Sequence, residues 1–139
     1  MAETPLTPES VNELVAEAFP GSKAICAGLG ERFAIAELPT DADDIRPGGF
    51  VAGPVQFALA DGALWYLVFG ALGRIEPMAL TSELSIRYLR PAIGPLLHAR
   101  ADLAAISRRS VVGSVTVWTT DDRKPTAVAQ GTYALPLLK

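Results

Sequence analysis

The chain has 139 residues, of which 50% are hydrophobic and 19% are charged, and its formal net charge is -3. This balance excludes a disordered chain and argues against a basic nucleic-acid-binding domain, so no nucleic-acid partner is expected. The length suits one domain. We therefore expect a single unit over residues 1–139, with an N-terminal helix and lead-in over residues 1–22.

The cysteine count and the apolar stretches bear on the compartment. Cys26 is the only cysteine, so neither an internal disulfide nor a structural zinc site with two thiols can form, which favours a reducing compartment. The N-terminus lacks the basic start and apolar core of a secretory signal, and we predict a cytoplasmic protein. Residues 50–73 are long enough to cross a bilayer, but the charge of Asp61 would cost about 2.5 to 3.5 kcal/mol there, so no membrane partner is expected.

The first predicted elements are a short helix and a strand. Thr7 and Pro8 suit the cap and first position of a helix, and Pro20 with Gly21 ends it. Between them apolar residues recur at helical spacing, at Val11, Leu14, Val15 and Phe19. The segment Ile25–Leu38 has strand character, and "PTDADDIRPGG" after it is predicted as a loop.

A long helix is predicted from about Pro54 to Leu72. Proline is favoured in a first helical turn, and Gly73 is a suitable C-terminal stop. The helix is apolar on nearly every side, with Asp61 as its only charged residue. Such a helix must be enclosed, either by a bilayer or by a sheet.

The rest of the chain supplies the sheet. Apolar and polar residues alternate in "LTSELSIRYLR" and in "LLHARADLAAI", as in strands with one solvated face. "SVVGSVTVWTT" and "PTAVAQGTYALP" are two further strands, joined by the turn "DDRK". Short turns between consecutive strands predict an α+β fold in which an antiparallel sheet wraps around one central long helix.

These segments, in this order, carry a family likeness. The stretches "PGGFVAGPVQFALADGALW", "LTSELSIRYLRPA", "SRRSVVGSVTVW" and "GTYALP" resemble hotdog-fold thioesterases, in particular the PaaI-like (phenylacetate-degradation type) acyl-CoA thioesterases. The likeness extends from about residue 24 to residue 135. It implies a hotdog fold, hydrolysis of a medium-chain or aromatic acyl-CoA to free acid and CoA, and a homodimer or dimer of dimers with active sites between subunits.

The resemblance also implies catalytic residues. Asp61 matches the helix aspartate that acts as general base or nucleophile on the thioester. Gly53 matches the glycine whose backbone N–H binds the thioester carbonyl oxygen, and Thr81 matches a Ser or Thr that positions the attacking water. These assignments agree with elementary chemistry, because a helix N-terminus offers free N–H groups and a carboxylate can accept a proton from water.

Further residues are predicted to contact the substrate. Arg46, Gly49 and Ala52 lie in the loop before the long helix, and Trp65, one turn after Asp61, is a candidate for the acyl pocket. Arginine binds phosphate through a forked geometry, so Arg90 and the pair Arg108–Arg109 are candidates for the coenzyme A phosphates; solvated charge is the alternative for each. This chain has Ala52-Gly53-Pro54 where the usual motif has His-Gly-Gly, and Arg46 where many relatives have Asn.

Several other chemistries are set aside. His98 is the only histidine, so one chain cannot assemble a Ser-His-Asp triad or a histidine-rich metal site, and we predict no metal and no cofactor beyond the CoA of the substrate. A dehydratase of the same fold would need a His where this chain has Ala52. The remaining alternative is a non-catalytic acyl-CoA-binding hotdog protein that has lost turnover.

Overall fold

The computed structural model describes residues 5–136, which form two α-helices and eight strands. The helices are α1 (Pro8–Ala18) and α2 (Gly53–Leu72). The strands are β1 (Ile25–Leu29), β2 (Phe33–Pro39), β3 (Ile45–Arg46), β4 (Phe50–Val51), β5 (Leu80–Tyr88), β6 (Leu96–Ile106), β7 (Ser110–Trp118) and β8 (Ala127–Ala134). A short 3-10 helix at Ala42–Asp44 precedes β3.

Six of the strands form one antiparallel sheet in the order β1-β2-β6-β7-β8-β5, and β3 and β4 pair as a separate hairpin. Helix α2 packs across this sheet, so the predicted α+β hotdog architecture is confirmed. Its sequence has the length and hydropathy of a membrane span, but ten of its residues are buried within the protein. Burial against a sheet explains its apolar composition without a bilayer.

Both ends of α2 follow the predicted chemistry. The helix begins at Gly53 with Pro54 in its first turn, and it ends before Gly73, whose φ of 74° is left-handed.

Close packing between α2 and the sheet depends on two strand glycines. A Cβ on Gly113 would lie 2.7 Å from the side chain of Leu67, and one on Gly131 would lie 2.9 Å from that of Leu64.

Helix α1 also forms as predicted and is attached to the edge of the sheet. The Thr7 hydroxyl accepts a hydrogen bond from the backbone N–H of Ser10, which satisfies a free donor of the first turn. The side-chain amide of Asn12 both donates to the carbonyl and accepts from the N–H of Cys26 in β1, at 3.0 and 2.8 Å. This pair of bonds fixes α1 to β1.

The prediction of one strand over Ile25–Leu38 was wrong. The segment forms two antiparallel strands, because the chain reverses at Gly30–Arg32 and the N–H of Gly30 donates to the carbonyl of Phe33. Residues on both sides of the turn are mostly apolar or small, so composition does not separate the two strands, and only the exposed, charged Glu31 and Arg32 mark the turn.

Candidate active site

Asp61 is held at one oxygen by two hydroxyl groups. Helix α2 presents its half-buried side chain toward β5 and β8, where Thr81 Oγ1 donates to Asp61 Oδ1 at 2.8 Å. Tyr133 Oη lies 2.7 Å from the same Oδ1 and 3.1 Å from the Asp61 backbone carbonyl. Thr81 and Tyr133 are cross-strand neighbours, so the sheet register sets both contacts. The other carboxylate oxygen, Oδ2, has no bond to any residue in the range 5–136.

The hydroxyl of Tyr133 is suited to act as a donor. Burial raises the pKa of Tyr133 above its ordinary value of 10.0, and the nearby Asp61 carboxylate raises it further. The hydroxyl therefore stays protonated at neutral pH. Its proton is directed at the nearer acceptor, Asp61 Oδ1, which leaves the carboxylate in one fixed orientation.

A cavity of about 310 Å³ opens in front of Asp61. Thr81 and Tyr133 lie on its polar side together with the carboxylate. Its remaining walls are apolar and come from Phe19, Ala58, Gly62, Trp65, Pro77, Ala79 and Leu80. The predicted substrate contact Trp65 thus lines the same cavity as Asp61, and it packs edge-on against Phe19 with ring centroids 5.9 Å apart.

The start of α2 forms a second site. Ala52 is the N-cap residue and supplies no capping side chain. Pro54 has no N–H and the N–H of Val55 donates to the Ala52 carbonyl, so among the described residues the N–H of Gly53 is the donor without a partner in the first turn. The Gly53 carbonyl accepts a hydrogen bond of 2.8 Å from the hydroxyl of Tyr88, and a Cβ on Gly53 would lie 3.2 Å from the Tyr88 ring. Glycine therefore lets Tyr88 approach the helix start closely.

A wider cavity of about 680 Å³ surrounds this helix start. It brings together two of the predicted phosphate or substrate contacts, Arg46 and Arg90, beside Gly53 and Tyr88. Gly49 lies in the β3–β4 turn, where its φ of 82° is left-handed and its N–H donates to the Arg46 carbonyl. Gly49 shapes the loop that carries Arg46 and does not line the cavity.

The pair Arg108–Arg109 lies at the opposite end of the sheet from Arg90. Both residues are exposed in the β6–β7 turn, where the Arg109 carbonyl accepts from the N–H of Leu135. Strand register places this turn near Leu80, at the end of the sheet close to Asp61. The backbone N–H of Arg90 donates to the carbonyl of Thr126, at the end of the sheet close to Gly53. Within one chain the four predicted arginines are therefore divided between two regions.

Asp61 and Gly53 are also separated within one chain. Asp61 lies eight positions after Gly53 in the helix, which corresponds to roughly 12 Å along the axis. They line different cavities. No single thioester carbonyl can touch both groups of the same chain.

Two residues with clear places in these sites were not predicted. Tyr133 orients Asp61 and Tyr88 contacts Gly53. The alternation of β8 was a usable signal for Tyr133, since Ala129, Gly131 and Tyr133 share the face turned toward α2. For metals, the described part of the chain contains no group of three or more His, Cys, Asp or Glu side chains placed to hold an ion.

Comparisons with solved structures match this architecture. A proposed thioesterase from Silicibacter sp. is 29% identical, with a TM-score of 0.83 over 96% of this chain and 94% of that chain. A thioesterase from Haemophilus influenzae is 23% identical, with a TM-score of 0.83 over 97% and 94%. A mutant of the phenylacetic acid degradation protein PaaI from Thermus thermophilus is 24% identical, with a TM-score of 0.70 over 88% and 99%.

Sequence comparison identifies the family to which this chain belongs. None of the curated proteins matches this sequence. The family model described as the thioesterase superfamily matches residues 48–126, more than half of the chain, including Gly53, Asp61 and Thr81. On this match and the shared fold, the chain belongs to the thioesterase superfamily.

Proposed function

We propose that this protein is a PaaI-like thioesterase that hydrolyses a medium-chain or aromatic acyl-CoA to a free acid and CoA in the cytoplasm. The observation that carries the proposal is the geometry of Asp61. One carboxylate oxygen accepts from Thr81 and Tyr133, and the other is available to a water molecule in an otherwise apolar cavity. A carboxylate held in one orientation, with one oxygen within reach of a water molecule, is suited to act as a general base.

The reaction needs only water and the substrate. Asp61 Oδ2 accepts a proton from a water molecule, whose oxygen attacks the thioester carbonyl carbon. The carbonyl oxygen becomes an oxyanion, which the N–H of Gly53 stabilises at the helix start. The carbon–sulfur bond then breaks, and the sulfur leaves with the proton held by Asp61 as the free thiol of CoA. Direct attack by the Asp61 carboxylate, followed by hydrolysis of an anhydride, gives the same products.

The spacing of the two groups requires two chains. Because Gly53 and Asp61 of one chain lie roughly 12 Å apart, the oxyanion donor and the base for one carbonyl must come from different subunits. A homodimer satisfies this requirement at two equivalent sites. The proposed enzyme is therefore active only as an oligomer.

The edge strand β5 supports such a dimer. It ends the sheet, and exposed apolar side chains cluster along it and at its two ends, at Met78, Leu80, Tyr88 and Leu89. Unpaired edges favour pairing with another strand. Antiparallel pairing of two β5 strands about an axis near Leu84 would place Thr81 of one copy beside Arg87 and Tyr88 of the other, because these residues are nearly equidistant from Leu84.

The same pairing would complete the site. Thr81 contacts Asp61, and Tyr88 contacts Gly53, so the base of one copy would meet the helix start of the second. The exposed Arg108–Arg109 turn at the Asp61 end would then approach the Arg46 and Arg90 cavity of that second copy. All four arginines would surround one substrate, which suits the phosphate groups of coenzyme A.

A non-catalytic acyl-CoA-binding protein remains the second candidate. Ala52 caps the helix without a polar side chain, so the carbonyl site has fewer donors than the usual His-Gly-Gly sequence supplies. The retained contacts of Asp61 with Thr81 and Tyr133 favour the enzyme, because binding alone needs no oriented base.

The test is CoA release from a panel of acyl-CoA substrates, followed with a thiol-reporting reagent. We expect turnover by the wild type and a loss of at least about a hundred-fold in kcat for Asp61→Asn. Asp122→Asn makes the same chemical change at an exposed aspartate outside both cavities and should leave kcat unchanged. Absence of CoA release from every substrate, or an Asp61→Asn variant as active as the wild type, would overturn the proposal.

A further inference from the structure

A third cavity, of about 450 Å³, lies beneath α1. Its walls come from α1, β2 and α2 of a single chain, with Val15, Leu38, Val55, Leu59, Trp65 and Tyr66 among them. We infer that this cavity holds the acyl chain of the substrate and that it selects linear aliphatic chains. This inference rests on the proposed function, because it supplies the Asp61 site with its acyl subsite.

The cavity adjoins the one in front of Asp61. Both are lined by Phe19, Ala58, Gly62 and Trp65. Ala58 and Gly62 are one helical turn apart, and they form a low ridge between the two spaces because neither carries a long side chain. Apart from its two chain neighbours and the nearby backbone of its own helix, no heavy atom of the described residues lies within 4 Å of the place that a Cβ on Gly62 would occupy. A chain attached to a carbonyl at Asp61 can therefore cross this ridge.

The shape of the cavity favours a linear chain. The residues of α2 that line it run from Pro54 to Tyr66, which spans roughly 18 Å of helix. From Asp61 toward Val55 the axis covers roughly 9 Å. The walls along this path are mostly aliphatic, so an extended hydrocarbon chain would contact apolar atoms over much of its length.

The charged groups that line the cavity are paired with one another. Lys23 and Asp44 line the end near Pro54 and form an ion pair, and Lys23 also bonds to Asp41 at 2.7 Å. The Lys23 ammonium is thus already paired with two carboxylates. This end offers no unpaired charge to a ligand, which fits a hydrocarbon terminus better than a dicarboxylic or amino-acyl group.

The test measures binding without requiring hydrolysis. Thioether analogues from S-methyl-CoA to S-decyl-CoA cannot be hydrolysed, and their affinities are measured by isothermal titration calorimetry. For the wild type we expect the affinity to rise about fourfold for each methylene group that the cavity covers. Val55→Phe narrows the cavity at the end far from Asp61 and should abolish the gain for the longer chains while leaving S-methyl-CoA binding unchanged.

Two further variants keep the result interpretable. Ala24→Leu narrows the same cavity from the segment before β1. It should likewise abolish the affinity gain for the longer chains, and it takes the place of Val55→Phe if Val55→Phe does not fold. Ala16→Leu, on the exposed side of α1, should keep the wild-type dependence on chain length. Affinity that does not rise with chain length, or a rise that both cavity variants preserve, would overturn the inference. Tight, length-dependent binding without hydrolysis would instead reject only the proposed catalysis.

Discussion

The hydroxyl of Tyr133 lies 2.7 Å from Oδ1 of Asp61, although 72 residues separate them in the chain. Tyr133 belongs to β8, which pairs with β5, and β5 carries the second donor, Thr81. The candidate base is therefore positioned by the sheet and not by its own helix. This relationship makes Tyr133 a positioning residue for Asp61.

Removing the Tyr133 hydroxyl should impair turnover more than binding. Tyr133→Phe deletes one hydrogen bond to a carboxylate, a loss of about 1.5 to 3 kcal/mol, so we expect kcat to fall roughly ten- to a hundred-fold with KM nearly unchanged. Steady-state kinetics with one acyl-CoA substrate measures both constants.

Thr81→Val provides the matched comparison, because it removes the other donor to the same oxygen. The double variant should lose less than the product of the two single losses, since both donors hold one carboxylate. Equal kcat values for Tyr133→Phe and the wild type would show that Asp61 needs no such support.

Water, and not the Asp61 carboxylate, is expected to attack the thioester. The two donors at Oδ1 hold the carboxylate in an orientation that leaves Oδ2 for a water molecule. In a single turnover in water enriched in heavy oxygen, the label should appear in the released acid and not in Asp61. Mass spectrometry of the peptide that contains Asp61 detects any label there, and label in that peptide would contradict water attack on the thioester, because only hydrolysis of an anhydride at the Asp61 carbon introduces it.

Cys26 should lower the stability of the folded protein at alkaline pH. Burial raises the pKa of the Cys26 thiol from 9.0 to about 11, so the folded state keeps a proton that the unfolded chain releases. The contribution of this proton to the free energy of unfolding is fully present below pH 9. It is lost as the pH rises from 9 to 11, which lowers the free energy of unfolding by up to about 2 kcal/mol. Urea denaturation across this range measures the effect.

The Cys26→Ala variant serves as the control for this pH dependence. This variant lacks the thiol, so its free energy of unfolding should fall less between pH 9 and 11. Groups such as Tyr66 account for any remaining decline, because burial raises the pKa of Tyr66 to about 12. The native wild type should also react slowly with thiol reagents at neutral pH. Identical pH profiles for the two proteins would contradict the assignment.

Local chemistry predicted much of this fold. Pro54 and Gly73 marked the ends of α2, and the apolar composition of that helix correctly implied a surrounding sheet. The turn at Gly30–Arg32 was missed because the residues on both sides of it are mostly apolar or small, which makes two short strands resemble one long strand. Asp61 was recognised as the one charge in an apolar helix.

The partners of these residues could not be predicted in the same way. The Tyr133 and Tyr88 contacts depend on strand register and on how α2 crosses the sheet, and neither is encoded in local spacing. Likewise, Arg90 and Arg109 lie at opposite ends of the sheet because of the pairing of β5, β7 and β8.

Subunit complementation tests the central claim most directly, namely that Asp61 of one chain and Gly53 of another serve the same thioester. Asp61→Asn and Gly53→Val are each expected to be inactive alone, the second because a side chain at Gly53 meets Tyr88. In an equal mixture that is unfolded and refolded together, half of the dimers carry one intact site, so about a quarter of the wild-type activity should return. A mixture as inactive as its components would contradict a site shared between two chains.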